Sequence, residues 1–399
     1  MRIPEIRFKN FADEWVSEKL DHVFQERHDI STITDEYPQL SFTIEEGVIR
    51  PENRKTNKRD FLIKDKGNKK YLITLLDDII YNPANVIHGA IHKNSLCNGV
   101  VSPIYKIFST HYNAAYMECI VRRPTFIKEM TKYMEGTVIK LRTLKPESFL
   151  SMSAFVTPSS KEQKSIADFY DSFDSMIQTT SKKIASLKQI KSASLISMFP
   201  QKGETKPRVR FKGFEGEWEN DKAGRLFITF NERNRPDLPV LSANQDIRGM
   251  APRTDTGYSI SHNKANEVTY KVVKPGQYVI HLRSFQGGFA HSSVEGITSP
   301  AYTVFGFKDK DMHDDYFWKI VFMSRPFIKS LETITYGIRD GRSISFCEFA
   351  EMNFLFPSKQ EQQKIASFFK SLDKQIFLQE QRLEKLKQIK AACLDKMFV

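Results

Sequence analysis

The sequence predicts a mixed α/β (α+β) chain of two globular heads separated by two long antiparallel coiled-coil-like helices, with an internal pseudo-two-fold repeat. Three observations predict it. The opening motif Arg7-Phe8, Phe11 and Trp15 returns as Arg210-Phe211, Phe214 and Trp218 at the same spacing. A closing motif, Pro158-Ser159 with Glu162-Gln163 running on to Met198-Phe199, returns as Pro357-Ser358 with Glu361-Gln362 running on to Met397-Phe398. Between these frames each half mixes strand and helix patterns, and the two interiors share only a thin skeleton. Duplicated frames around diverged interiors imply two similar modules built to recognise two different things.

At 399 residues the chain accommodates two domains of ordinary size. The motifs divide it into a first head (1–157), a first long helix (158–200), a second head (201–356) and a second long helix (357–399). Hydrophobic residues make up 40% and aromatics 12%, enough to bury a core in each half and to argue against disorder.

In the first head, residues 71–73 and 79–81 read as strands. In the second, Val272-Val273 and residues 278–280 read as two strands joined by a turn at Pro275-Gly276. Both heads then show a Ser-Pro turn entering a short strand. Ser102-Pro103 leads to Tyr105 and Phe108; Ser299-Pro300 leads to Tyr302 and Phe305. The aromatics there read as core.

The first long helix carries Ile166, Phe169, Phe173, Ile177, Ile184, Leu187, Leu195 and Met198, and the second Ile365, Phe369, Leu372, Ile376, Leu383, Leu386 and Met397. Steps of three, four and seven make one apolar stripe on each. Ser159 with Glu162, and Ser358 with Glu361, read as capping boxes that start the helices. About 38 residues of helix span roughly 57 Å. A seam that long needs a partner, and the other copy is the obvious one. Ile166, Phe173, Ile177, Ile184 and Leu187 are therefore expected to pair with Ile365, Leu372, Ile376, Leu383 and Leu386. The first helix delivers the chain to the second head, so a paired second helix must run back, antiparallel.

A net charge of +12 and a pI near 9.3 point to a polyanionic partner, nucleic acid or an acidic protein. The first head clusters Arg50, Arg54, Lys55, Lys58 and Arg59, followed by Lys69 and Lys70. The second places its polar and basic candidates differently: Arg233, Arg235, Arg248, Arg253, then Arg283, Ser284 and Gln286, then Arg339 and Arg342. Loop cations neutralise phosphates, whereas Arg, Gln, Asn and Ser can read base edges. Arg283, Gln286, Arg339 and Arg342 sit near glycines, where a backbone can approach a ligand closely.

Other chemistry is excluded by what the sequence lacks. Cys97, Cys119, Cys347 and Cys393 fall in no zinc or disulfide spacing, which fits a reducing cytoplasm. No apolar run is long enough to span a bilayer, and residues 1–5 do not open a signal peptide, so a soluble, cytoplasmic protein with no membrane partner is expected. There is no phosphate loop, GxGxxG, HExxH or GxSxG. Asn82-Pro83-Ala84 only approaches the tetrapeptide of amino-methyltransferases, lacking its second proline and its aromatic. No catalytic residue and no metal ligand is expected in this chain.

The duplicated Arg-Phe openings, the paired Ser-Pro-x-Tyr strands and the Pro-Ser-x-x-Glu-Gln helix starts with Met-Phe ends occur in the same order, twice. In this the chain resembles the specificity subunit of a type I restriction–modification system, the HsdS family, over essentially its whole length. The resemblance implies that each head is a target recognition domain reading one half of a bipartite, asymmetric site in double-stranded DNA. It implies that the paired helices fix the unread gap and bind two modification (methyltransferase) subunits, which carry S-adenosylmethionine and methylate adenine. Two restriction (motor–nuclease) subunits, working with ATP and Mg²⁺, can join them. The specificity subunit itself holds no cofactor and catalyses nothing. Two other readings stand beside it: a stand-alone nuclease, which needs a carboxylate metal cluster not seen in the sequence, and a basic coiled-coil scaffold without DNA preference.

Overall fold

A computed structural model describes residues 3–54, 69–136, 142–244, 249–256, 264–281, 288–334 and 344–399. The chain forms two compact units, Met1–Lys182 with Gln381–Val399, and Lys183–Glu380.

In the first unit the strand Val16–Lys19 pairs antiparallel with Ser153–Val156, which zips the opening motif to the approach of the long helix. A four-stranded antiparallel sheet follows in the order Phe24–Glu26, Lys106–Thr110, Ile79–Tyr81, Ile91–Lys93. Beside it are a three-stranded sheet (Ile30–Ser31, Tyr71–Thr74, Gly99–Val101) and a hairpin (Ser41–Thr43 with Gly47–Ile49). Residues 79–81 are wholly buried because successive side chains point to opposite faces and both faces are covered. Ile79 and Tyr81 join Trp15, Phe108, Tyr116 and Phe149, while Ile80 joins Leu40, Val101 and Ile107. The helix Ala114–Val121 starts at Asn113, whose side chain accepts from the Tyr116 N–H at 3.0 Å.

The second unit repeats this plan. Glu219–Lys222 zips to Asn353–Phe356, and the main sheet runs Phe227–Phe230, Thr303–Phe307, Tyr278–Ile280, Phe289–His291, Gly249–Pro252, Leu241–Asn244. Tyr278 and Ile280 face one core and Val279 the other. The helix Asp315–Phe322 starts at Asp314, which accepts from the Phe317 N–H at 2.9 Å. Here the hairpin Leu241–Asn244 with Gly249–Pro252 joins the main sheet through a parallel bridge from Gly249 to His291. In the first unit the corresponding hairpin remains a two-stranded pair.

The heads share more than their sequences suggest. Val100 N–H donates to Pro38 O at 3.0 Å, and Ile297 N–H to Pro239 O at 2.9 Å. Beside each bond lies a glycine, Gly99 or Gly296, where a Cβ would stand 2.6 Å from that same proline oxygen. Only glycine permits that approach. Both Ser-Pro turns form as expected, with Tyr105 N–H on Ser102 O and Tyr302 N–H on Ser299 O.

The two strands expected around Pro275-Gly276 form and are joined by a turn. They are not partners of each other. Lys271–Val273 pairs with Gly296–Thr298, whereas Tyr278–Ile280 pairs with Thr303–Phe307 and Phe289–His291. The turn, with Gly276 at φ 82°, donates its N–H to Ser292 O and hands the chain from one sheet to another.

The long helices span Ser160–Ser197 and Lys359–Lys396, 38 residues each. Within the first unit Asp174 meets Lys390 at 2.5 Å and Tyr170 packs on Phe398. Within the second, Lys188 meets Glu380 at 2.7 Å and Lys191 meets Asp373 at 2.5 Å. In both units one helix rises in number as the other falls, so the segments run antiparallel. Of the expected seam residues, Ile166 and Phe173 are buried in the first unit, with Ile177, Leu383 and Leu386 half-buried. Ile184, Leu187, Ile365, Leu372 and Ile376 are buried in the second, and all but Ile184 share one cluster there.

Candidate nucleic-acid interface

Each head is fixed to a long helix by the same joint. The expected capping box forms only by half in the first copy: the Glu162 N–H donates to Ser159 Oγ at 3.3 Å, but the glutamate does not answer the serine. Its carboxylate takes Arg7 instead, Nε at 2.6 Å and Nη2 at 2.8 Å, with Thr157 Oγ1 as a further donor. In the second copy Arg210 binds Glu361 at 2.6 and 2.7 Å. A bidentate, charge-assisted pair outcompetes a neutral backbone N–H for the carboxylate. Hydrogen bonding to these glutamates raises the pKa of both arginines above the ordinary value. The glutamine that follows plays a similar part in both copies, although the carbonyl it donates to differs by one position. Gln163 accepts from Asn113 N–H and donates to Thr157 O; Gln362 accepts from Asp314 N–H and donates to Pro357 O. Sequence reading found both motifs but not that they bind each other.

The Met-Phe ends close the units. Phe398 lies 5.7 Å from Trp15 and 6.0 Å from both Tyr116 and Tyr170. Phe199 lies 5.8 Å from Trp218, 5.7 Å from Phe317 and 6.2 Å from Phe369. Each helix thus ends on the tryptophan of the opening motif in the other half of the sequence.

On this frame sit the expected DNA-facing residues. Arg50 is exposed just beyond Gly47–Ile49, and Arg54 is half-buried, its Nε without a hydrogen-bond partner among the described residues. In the second unit Arg233 is exposed and donates to Asn231 Oδ1 at 3.1 Å. Arg235 is neutralised by Asp237 at 2.7 Å, and Arg253 Nε donates to Ser242 Oγ at 3.2 Å. Lys55, Lys58, Arg59, Arg248, Arg283, Ser284, Gln286, Arg339 and Arg342 lie outside the described residues. The structure brings Arg233 beside Lys271, a residue that sequence reading passed over. Aligning the two heads through Gly99 and Gly296 would have exposed it, because Leu72 stands at its place in the first head. His281, next to the Tyr278–Ile280 strand, has its pKa lowered by burial and packs 6.1 Å from Tyr302. Among the described residues no group of three or more His, Cys, Asp or Glu could hold a metal ion, and no helix is long and apolar enough to cross a membrane.

Residues 217–388 match the family model of the type I restriction modification DNA specificity domain. The specificity subunit of a type I restriction–modification system from M. genitalium superposes with a TM-score of 0.61 at 12% identity, covering 100% of this chain and 99% of that one. The HsdS subunit of Thermoanaerobacter tengcongensis gives a TM-score of 0.44 at 13% identity, covering 96% of each chain. A chain from a structure on complex assembly and conformational transition of the type I system gives 0.48 at 12% identity, covering 97% of this chain and 98% of that one. No curated protein matches the chain. Over residues 217–388 the family match agrees with the resemblance carried by the duplicated motifs, and the M. genitalium structure bears out the fold.

Proposed function

From the specificity-domain match over residues 217–388 we propose that the chain is the DNA sequence-specificity subunit of a type I restriction–modification complex. One observation carries this reading beyond the matched residues. The Arg7–Glu162 pair and Gln163 rebuild, in the first half, the joint that Arg210, Glu361 and Gln362 make in the second. Each head, residues 1–157 and 201–356, reads one half of a bipartite, asymmetric site. Arg50, Arg54, Lys55, Lys58 and Arg59 serve the first half-site. Arg233, Arg235, Arg248, Arg253, Arg283, Ser284, Gln286, Arg339 and Arg342 serve the second, by phosphate and base-edge contacts.

The long helices, residues 158–200 and 357–399, set the unread gap and dock two methyltransferase subunits. The exposed apolar side chains Phe377 and Leu378 in the second unit, and Met176 and Ile389 in the first, support a protein partner there. In this reading the chain itself catalyses nothing. S-adenosylmethionine enters with the methyltransferases; ATP and Mg²⁺ enter with two motor–nuclease subunits where these join. The complex works in the cytoplasm.

The test is co-expression with a cognate methyltransferase subunit in a methylation-free host, followed by genome-wide mapping of N6-methyladenine. One bipartite motif with two unlike halves is the expected result. A stable complex that leaves the genome unmethylated would favour a scaffold.

A further inference from the structure

We propose that Arg233 and Lys271 form a clamp for a DNA backbone phosphate on the second head, with no counterpart on the first. The proposal rests on the DNA-recognition reading above and adds to it a residue, a role and an asymmetry.

The backbone places the two cations together. After the strand Phe227–Phe230 the chain runs against Lys271–Val273: Val272 N–H donates to Glu232 O at 2.8 Å, and Asn234 N–H donates to Val268 O at 3.1 Å. Arg233 is held between these bonds. Asn234, at φ 64°, adopts the left-handed conformation that asparagine tolerates better than most residues. Lys271 is half-buried and donates to Tyr302 O at 2.6 Å, while Arg233 is exposed.

Charge singles the pair out. The neighbouring cations are answered by carboxylates, Arg235 by Asp237 and Lys274 by Glu232, both at 2.7 Å. Among the described residues, Arg233 and Lys271 make no such ion pair. Burial lowers the Lys271 pKa, and the adjacent Arg233 lowers it further. An anion seated between them would relieve that repulsion and accept charge-assisted hydrogen bonds from both.

The same backbone site exists in the first head with opposite character. There Ile73 N–H donates to Asp29 O at 2.8 Å, and Ile30 faces Leu72 across the ladder. Leu72 opposite Val101, two residues from Gly99, corresponds to Lys271 opposite Thr298, two residues from Gly296. An isoleucine and a leucine cannot hold a phosphate. The clamp therefore belongs to one head.

The experiment uses the full chain in its DNA-reading complex and compares it with an Arg233→Gln/Lys271→Gln variant on a random duplex and on the methylated motif. Affinity should fall by the same factor for both duplexes, with the methylated motif unchanged. With one fewer phosphate neutralised, the affinity lost between roughly 50 and 200 mM salt should shrink about three- to fourfold. Unchanged affinity and salt slope would overturn the clamp and leave the specificity reading intact. An altered motif at constant slope would also overturn it, by making the contact a base contact. Inorganic phosphate that protects the wild type while both forms bind DNA equally would assign the site to a small anion, against the proposal. A wild-type complex with no DNA preference would sink both readings. Arg233→Gln alone, at an exposed side chain, should remove half the slope change and keeps the test open if Lys271→Gln fails to fold.

Discussion

The two heads agree in their joints and differ at their surfaces. At the joint, a bidentate Arg–Glu pair, a twice-used glutamine and a Phe-on-Trp closure recur almost bond for bond. On the ladder at the head's edge, an Ile30–Leu72 pair stands where Arg233 and Lys271 stand in the other copy. The joint faces the chain's own helices and must keep its chemistry; the surface is under no such constraint and is free to change. The difference teaches that the positions to compare in such a duplicated chain are those with matched backbone bonds and unmatched side chains.

The largest effect tests the agreement. Glu162→Ala and Glu361→Ala each strand a largely buried arginine, and each should cost about 3–5 kcal/mol in urea unfolding. A heavy loss in one copy only would break the equivalence of the joints. Gly99→Ala and Gly296→Ala come next, at about 1–3 kcal/mol each, because the new methyl must push back a proline carbonyl. Unequal costs would show that one head yields where the other does not. The surface difference can then be transplanted. Ile30→Arg with Leu72→Lys should steepen the salt dependence of DNA binding by about one phosphate contact, a change of roughly three- to fourfold between 50 and 200 mM. No change would mean that the first head's edge does not meet DNA.

The smallest effect is one of pH. The His291 hydrogen bond lowers the Asp315 pKa below its ordinary value, whereas burial raises that of Asp78 in the first head despite Arg27. Asp315 thus contributes stability that is present above the unfolded value of about 3.9 and is lost as pH falls through its lower folded value. For Asp78 the sign reverses: its ionised form opposes folding above the raised value, and acid relieves this. The stability gap between wild type and Asp315→Asn should shrink on acidification, by under about 1 kcal/mol since the carboxylate is half-exposed. The gap between wild type and Asp78→Asn should instead move in favour of wild type. Urea melts at successive pH values read both.

Much of the frame was legible because it is periodic or repeated. The apolar stripe from Ile166 to Met198 permits a helix and little else, and the Ser-Pro turns have a fixed local geometry. The partner of Glu162 was not legible. A capping box is a local rule, and Arg7, which displaced it, is distant in sequence and adjacent only once the strands Val16–Lys19 and Ser153–Val156 have paired. The turn at Pro275-Gly276 was legible, but the partners of the strands it joins were not. Local residues specify that the chain turns, but the burial of both faces of Tyr278–Ile280 decides which strands it then meets. Lys271 carried no motif and gains meaning only from its position opposite Thr298.

The closure of the first unit also has a consequence in time. Trp15 is buried against Phe398, and Arg123 donates to Val399 O at 3.1 Å. Lys183–Glu380 is one unbroken stretch, but the first unit needs residues from both ends of the sequence. At about 5–20 residues per second on the ribosome, Trp15 waits roughly 20–80 s for its lid. The second-made unit therefore completes before the first-made one. Nascent chains stalled before Met397 should yield a protease-resistant second unit and an open first one, so a ribosome that stops early releases no chain with a sealed first unit.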